Sequence, residues 1–297
     1  MSTSQIMINY LLNGTLILLL GLLWASESVL GKLLLTNGAG IFDFPIVLNF
    51  GTVIAILILA CLKRNVRVLT DVNIKSCIWL LSTALTLVFF PYCILYFSLQ
   101  QMSPAETSLI TSLTPVFSMI LGLTLGQMRL SALSIVALAS GVFGASLLIV
   151  PQLDSSSGNA SSFYYVIMLL VPLSYAASGY FLKASFRAGI TYNQLLLATN
   201  LVSGCLFLIL NDGFPSNIQI SSTGIYLTGV VFNIAAIALM LFITGRSTPF
   251  SLSFSNHATL VFSFIFSALF FNQEMNFAIF LSVILIVFSS VLTQVKR

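Results

Sequence analysis

Charge is what this sequence lacks. Asp, Glu, Lys and Arg make up 6% of its 297 residues, and apolar residues make up 58%. A soluble chain of this size carries about a quarter of its residues as charges, so a water-exposed globular fold is excluded. Cysteine and histidine are scarce too. Cys61, Cys77, Cys93 and Cys205 have no ligand-type spacing, and His257 is the only histidine, so neither a disulfide framework nor a metal centre is read here. No Gly-x-Ser-x-Gly, His-Glu-x-x-His or P-loop pattern occurs. An enzyme, a cofactor and a nucleotide-driven pump are therefore not expected. The net charge of +4 is no nucleic-acid signal, because the basic residues sort by topology instead.

What the chain does have is length without charge. Apolar runs of about 18 residues or more recur, each long enough to cross a bilayer. They predict ten helices, at about 11–33, 44–62, 77–99, 104–125, 131–150, 162–183, 191–211, 223–244, 249–271 and 276–294. The runs are continuous, not alternating, which favours a helical bundle over a barrel. Between the third and fourth, Ser103, Pro104 and Glu106 read as N-cap, N1 and N3 of a new helix, a capping box. The longest connections, Leu62–Ser76, Pro151–Ser161 and Asn211–Thr223, leave no room for a soluble domain. The first run has no basic leader or small-residue cleavage site and is read as a retained helix.

A stretch of the first helix recurs about half a chain later. Trp24-Ala25-Ser26-Glu27-Ser28-Val29-Leu30-Gly31-Lys32 is loosely repeated as Tyr175-Ala176-Ala177-Ser178-Gly179-Tyr180-Phe181-Leu182-Lys183, an offset of 151 that also pairs Asn49 with Asn200. An offset of 145 pairs Ser103-Pro104 with Thr248-Pro249, and Val116-Phe117-Ser118 with Val261-Phe262-Ser263. The reading is two five-helix units, 1–150 and 151–297. With ten helices, Lys63, Arg64, Arg67, Lys75, Arg129, Lys183, Arg187, Arg246, Lys296 and Arg297 fall on one side and only Lys32 on the other. The positive-inside rule makes that side cytoplasmic, with both termini. An odd number of helices per unit makes the repeats inverted, the arrangement of many alternating-access carriers.

These residues resemble the drug/metabolite transporter (DMT) superfamily, in its EamA-type ten-helix form. The family's first-helix signature is a Trp-Gly-Ser-Asn-like run followed by a lysine, and Trp24-Ala25-Ser26-Glu27 is followed here by Lys32. The fourth-helix proline after a Ser/Thr-rich turn is similar to Ser112-Leu113-Thr114-Pro115-Val116. The Gly-Glu-Arg-like turn resembles Gly126-Gln127-Met128-Arg129, with Gln273-Glu274 as its second-half counterpart, and a fifth-helix glycine matches Gly141. Three residues depart from the pattern. Glu27 stands where a neutral residue is favoured, Asn49 replaces an arginine and Leu260 replaces a proline. The resemblance spans the whole chain. It implies an all-α integral membrane protein and a secondary transporter of small metabolites, most simply an exporter of amino acids or related compounds. A multidrug or lipophilic-cation exporter using Glu27 is the alternative, and a non-transport membrane subunit a third reading.

Polar residues inside the helices are the candidate site. Trp24, Glu27, Ser28 and Gly31 share one face of the first helix, and Ser108, Thr111, Ser112 and Pro115 one face of the fourth. Ser253, Asn256, His257 and Leu260 repeat the latter in the ninth helix, and Tyr175, Ser178 and Gly179 mark the sixth. Such stripes line a cavity or form packing seams, since small and hydroxyl residues also join membrane helices. Glu27 stands apart. It lies about 7 Å from the midplane at ~1.5 Å rise per residue, where a charge costs at least about 2–3 kcal/mol. Removing a carboxylate from water favours its protonated form, so Glu27 is a candidate to carry a proton or pair with a cationic substrate. Lys32 is expected to snorkel to the interface, and Asn49 and Asn200 to bond across helices. Glu106 is expected to cap. The site reading is Glu27, Trp24, Tyr175, Thr111, Asn256 and His257, with a small-molecule substrate, the lipid bilayer and protons as partners and the plasma (bacterial inner) membrane as location. Asn159-Ala160-Ser161 is a formal glycosylation sequon in an outer loop.

Single cysteines near Asn37, Asp154 and Asn211, in a cysteine-free background, are expected to label from outside the cell. Those near Arg67, Arg129 and Arg246 are expected to label only after permeabilisation. Outside labelling near Arg129 with protection near Asp154 would overturn the topology.

Overall fold

The computed structural model describes residues 3–62, 74–129, 131–154, 162–215, 220–246 and 248–271, together with positions 277, 281, 284, 285, 288, 289 and 292. No strand occurs among the described residues. Among the described residues, seven helices are long and apolar enough to cross a membrane. They are α1 (Thr3–Thr36, its span Gly14–Thr36), α2 (Asp43–Leu62), α3 (Ser76–Leu99), α4 (Pro104–Thr124), α6 (Phe163–Arg187), α7 (Tyr192–Leu210) and α8 (Thr223–Arg246). Two further apolar helices are α5 (Ala132–Asp154) and α9 (Ser255–Phe271), the latter preceded by a short turn of helix at Pro249–Ser253. The predicted tenth helix at 276–294 lies, apart from isolated positions, outside the described residues. So do the sequon at Asn159, the Gln273-Glu274 pair, most of the Lys63–Lys75 connection, and Lys296 and Arg297.

Polarity is inverted relative to a soluble protein. Ile54, Leu62, Val166, Ile209, Leu227 and Leu269 face outward, while Glu27, Asn49, Asn200, Asn233 and His257 are buried. This is the pattern of a multi-pass membrane protein, in which lipid solvates the outside. One end of the bundle is tied by polar contacts. Lys32 Nζ donates to the carbonyl of Leu99 at 2.6 Å, Tyr165 donates to Glu106 Oε1 at 2.8 Å, and Asn211 donates to Asp43 Oδ1 at 3.2 Å. These contacts bring the ends of α1, α3 and α7 together with the starts of α2, α4 and α6. Lys32, expected to reach toward the interface, caps the last carbonyls of α3 with its ammonium group there. Glu106 Oε2 also accepts from the Ser103 backbone N–H while Ser103 Oγ accepts from that of Glu106, the predicted capping box. A second box, Thr191 with Gln194, opens α7.

Several helices are broken, and each break has a local cause. In α3, Leu85–Phe89 is a π turn just before Pro91, which lacks an N–H and crowds the preceding turn. Serines from neighbouring helices bond the carbonyls there: Ser174 donates to Thr86 O at 2.8 Å and Ser203 to Ala84 O at 3.3 Å. In α4, the helix stops at Thr111 and restarts at Thr114, ahead of Pro115. Thr111, Ser112 and Thr114 turn their hydroxyls back onto the carbonyls of Ser108, Leu109 and Thr111. Around Phe254, Ser253, Ser255 and Asn256 do the same for Phe250, Leu252 and Ser253.

Between the helices, small residues set the approach. α1 packs on α8 and α9, α2 on α7 and α8, α6 on α3 and α4, and α3 on α7. A β-carbon built at Gly21 would fall on that of Ala258 and 2.7 Å from the backbone nitrogen of Thr259, so α1 and α9 touch backbone to backbone. Gly14, on the same helix, has nothing within 4 Å. Asn200 accepts from Asn233 Nδ2 at 3.3 Å, a bond across helices. Asn49 instead donates to Pro45 O of its own helix at 2.7 Å, correcting the expectation of an interhelical bond.

Gly21→Val is expected to destabilise the fold by about 1–3 kcal/mol through overpacking, measured by reversible unfolding in mixed detergent micelles. Gly14→Ala, in open space, is expected to be neutral. Equal stabilities would mean that α1 and α9 do not approach this closely.

Candidate functional site

The broken helices surround two cavities. The first is lined from α1 by Trp24, Glu27 and Ser28, and from α3 by Tyr92, Leu95 and Tyr96. Ser108 and Thr111 of α4, Tyr175 of α6, and Asn256 and Thr259 of α9 complete it. The second is lined by Leu87, Thr114, Ser178, Gly179, Met240, Pro249, Leu252, Ser253 and Ser255. Trp24, Tyr175 and Asn256 line both. The Trp24 and Tyr175 rings stack with centroids 6.2 Å apart and planes 7° from parallel. The wall shared by the two cavities is therefore an aromatic pair with one amide beside it.

Among the described residues, Glu27 is the one acid lining either cavity. It is 4% exposed. Its Oε2 accepts from Tyr92 at 2.8 Å, while Oε1 has no hydrogen-bond partner among the described residues. Tyr92 and Tyr96 stand one helical turn apart with rings 5.6 Å apart and near perpendicular. The carboxyl thus faces three tyrosines and a tryptophan across one space. No Lys, Arg or His lines either cavity among the described residues.

Five of the six residues expected at the site, Trp24, Glu27, Thr111, Tyr175 and Asn256, line the first cavity together. His257 lines neither. It is fully buried, its ring lies edge-on to Phe254 at 5.1 Å, and it sits beside the Ser112 backbone. A β-carbon at Gly141 would meet the His257 ring, which places the histidine against α5. The one-residue step from Asn256 to His257 turns the side chain by about 100° around the helix, from the cavity to the neighbouring helix.

The polar stripes divide in the same way. A β-carbon at Gly31 would meet the Tyr96 ring, one at Gly179 would lie 3.0 Å from Pro249, and Ser108 bonds Ser263 at 2.6 Å across α4 and α9. Ser112 and Pro115 serve the break in α4 and line neither cavity. Sequence reasoning missed Tyr92 and Tyr96. The available signal was two tyrosines at i and i+4 directly after Pro91, on a helix with no repeat-matched motif to draw notice.

Among curated proteins no relative matches. A crystal structure of a protein 19% identical in sequence superposes with a TM-score of 0.69, covering 96% of this chain and 96% of that one, and so shares the fold. Residues 13–150 match the EamA-like transporter family of the DMT superfamily, whose members are transporters and not enzymes.

Proposed function

We propose that this protein is a secondary transporter that carries a small organic metabolite, an amino acid or a related compound, outward across the plasma membrane by alternating access. Its units are 1–150 and 151–297, inverted relative to each other, with both termini in the cytoplasm. The observation that carries this reading is the relation between the two cavities. Glu27 and Ser28 line the first, and their counterparts at offset 151, Ser178 and Gly179, line the second. Ser108 and Thr259 line the first, and their counterparts at offset 145, Ser253 and Thr114, line the second. The residues that line both include Trp24 and Tyr175, which are counterparts of each other.

Helix packing supports the same relation. Advancing each helix of the first unit by five, and returning each of the second by five, converts α1 on α8 into α6 on α3. It also converts α1 on α9 into α6 on α4, and α2 on α8 into α7 on α3; all six contacts occur. Under alternating access, exchanging the conformations of the two units exchanges the two cavities. One opens as the other closes, and the Trp24–Tyr175 pair lies where they meet.

Glu27 is then the residue that ties transport to an ion gradient. It faces the cavity with one oxygen held by Tyr92 and the other available, so a proton or a substrate cation can occupy it in different steps of the cycle. Its repeat counterpart is Ser178, so only one cavity has an acid at that position.

The test starts from a thermal-shift screen of amino acids, nucleosides and quaternary amines on the purified protein, followed by flux of any ligand found. In proteoliposomes, Glu27→Gln is expected to retain counterflow at saturating substrate and to lose accumulation driven by an imposed pH gradient. Unchanged uphill transport in Glu27→Gln would leave the carboxyl a structural hydrogen-bonding group.

A further inference from the structure

We infer that Phe90–Leu99, the second half of α3, is a hinged lid over the first cavity, that Lys32 is its latch, and that release of the latch opens the cavity at the Lys32 end of the bundle. The inference rests on the transporter reading and names the device that controls access to the same cavity. It starts from the break in α3. Over Leu85–Phe89 the helix takes a π turn, in which Phe90 N–H donates to Leu85 O, and Pro91 follows at once. A helix interrupted in this way bends there more readily than a continuous one. The turn is anchored from neighbouring helices, because Ser203 of α7 bonds Ala84 O and Ser174 of α6 bonds Thr86 O.

The segment beyond the break covers the cavity. Its Tyr92, Leu95 and Tyr96 are cavity wall. It rests against α1 at three places. Tyr92 donates to Glu27 Oε2 at 2.8 Å. The Tyr96 ring lies in the notch that Gly31 leaves, where a β-carbon would stand 2.5 Å from Tyr96 Cε1. One residue further on, Lys32 Nζ donates to Leu99 O at 2.6 Å and to Gln100 O at 3.5 Å. On its other side the Phe97 ring packs on Tyr164 of α6, with centroids 5.4 Å apart. The segment therefore parts from α1 while still leaning on α6.

These contacts are suited to release. At Gly21, α1 meets α9 backbone to backbone, whereas it meets this segment through side chains. The last carbonyls of a helix have no intrahelical partners and carry its negative end, so an ammonium group holds them well. Lys32 and the end of α3 lie at the end of the bundle, where water satisfies both groups when they separate. A bond of the same strength in hydrocarbon would have no such exchange partner. Closed, the segment places Tyr92 on Glu27; open, it uncovers the carboxyl and the wall beside it.

Labelling of a buried thiol tracks the population of its open form. In a cysteine-free background, Thr259→Cys reports on the first cavity and Thr114→Cys on the second, and neither position lies on the lid or the latch. Purified protein in detergent micelles is treated with 2-hydroxyethyl methanethiosulfonate, a neutral reagent that reaches both ends of the bundle, and rates are read by intact mass. Lys32→Met, which keeps the stem and removes the donor, is expected to speed labelling of Thr259→Cys about fivefold or more and to leave Thr114→Cys within about twofold. Gly31→Ala, which fills the notch and props the Tyr96 ring off α1, is expected to do the same with the ammonium group still present. Lys32→Arg, still a donor, is expected to stay within about twofold of the parent. Hydrogen exchange in Lys32→Met is expected to rise over Phe90–Leu99 and to hold over Ile74–Ala84. Unchanged labelling of Thr259→Cys in either Lys32→Met or Gly31→Ala, equal acceleration at both cysteines, or exchange rising equally on both sides of the break would each overturn the inference. Counterflow separates this from the broader reading. Amino-acid counterflow by the parent protein, with labelling unchanged in the variants, sinks the lid and leaves transport standing. Selective acceleration at Thr259→Cys, without counterflow of any ligand by the parent, supports the lid and sinks transport.

Discussion

A carbonyl that loses its helical partner inside hydrocarbon has no water to turn to. That constraint organises this molecule. Helices α3 and α4 are interrupted beside prolines, at Leu85–Phe89 and at Ser112-Leu113, and the segment leading into α9 turns at Phe254. At each place hydroxyl or amide side chains take over the backbone bonds. The interruptions also lie next to the cavities: Leu87 and Tyr92 at the α3 break, Thr111 and Thr114 at the α4 break, and Ser253, Ser255 and Asn256 at the turn around Phe254 each line one cavity or both. Unbroken helices would pack along their full lengths and close the centre. The polar residues inside this chain therefore first make broken helices tolerable, and the breaks make room for a ligand.

This double use explains what the sequence could and could not disclose. Spans, caps and stripes follow local rules, so the apolar runs and the Ser103–Glu106 box coincide closely with the observed helices. The pairing of Trp24 with Tyr175 was visible as a repeat, and the two rings do stack. Which member of a stripe faces a cavity was not legible, because one residue of rotation decides it. Asn256 and His257 are neighbours in sequence and point to different surroundings, and Thr111 and Ser112 part in the same way. Tyr92 and Tyr96 were missed because their role depends on α3 lying across from Glu27, a tertiary fact. Lys32 was read as a snorkelling side chain because sequence places it near an interface but cannot reveal that the end of α3 lies beside it. The tenth predicted helix stays an expectation from its apolar run alone.

Under the proposed inverted relation, two residues that are counterparts and also touch must lie close to the axis that exchanges the units. Trp24 and Tyr175 meet that condition. Their near-parallel faces let small opposed motions of α1 and α6 change the overlap of the rings without breaking a hydrogen bond. An aromatic pair suits such a place better than an ion pair, since separating charges in a low-dielectric centre is far more costly than sliding rings.

Under the proposed duplication, the two units differ where chemistry needs them to. Backbone breaks and small residues are matched between the cavities, but the acid is not: Glu27 corresponds to Ser178, and Thr111 to Asn256. On that reading, matched scaffolding keeps the two end states close in energy. Two equivalent acids would offer a proton or a cation a second resting place on the other side of the aromatic pair and hold it there. A single carboxyl beside the shared wall would give one position that both conformations can reach. The departure of Glu27 from the neutral residue of the resembled pattern would thus be the point at which a symmetric fold gains a site with one acid.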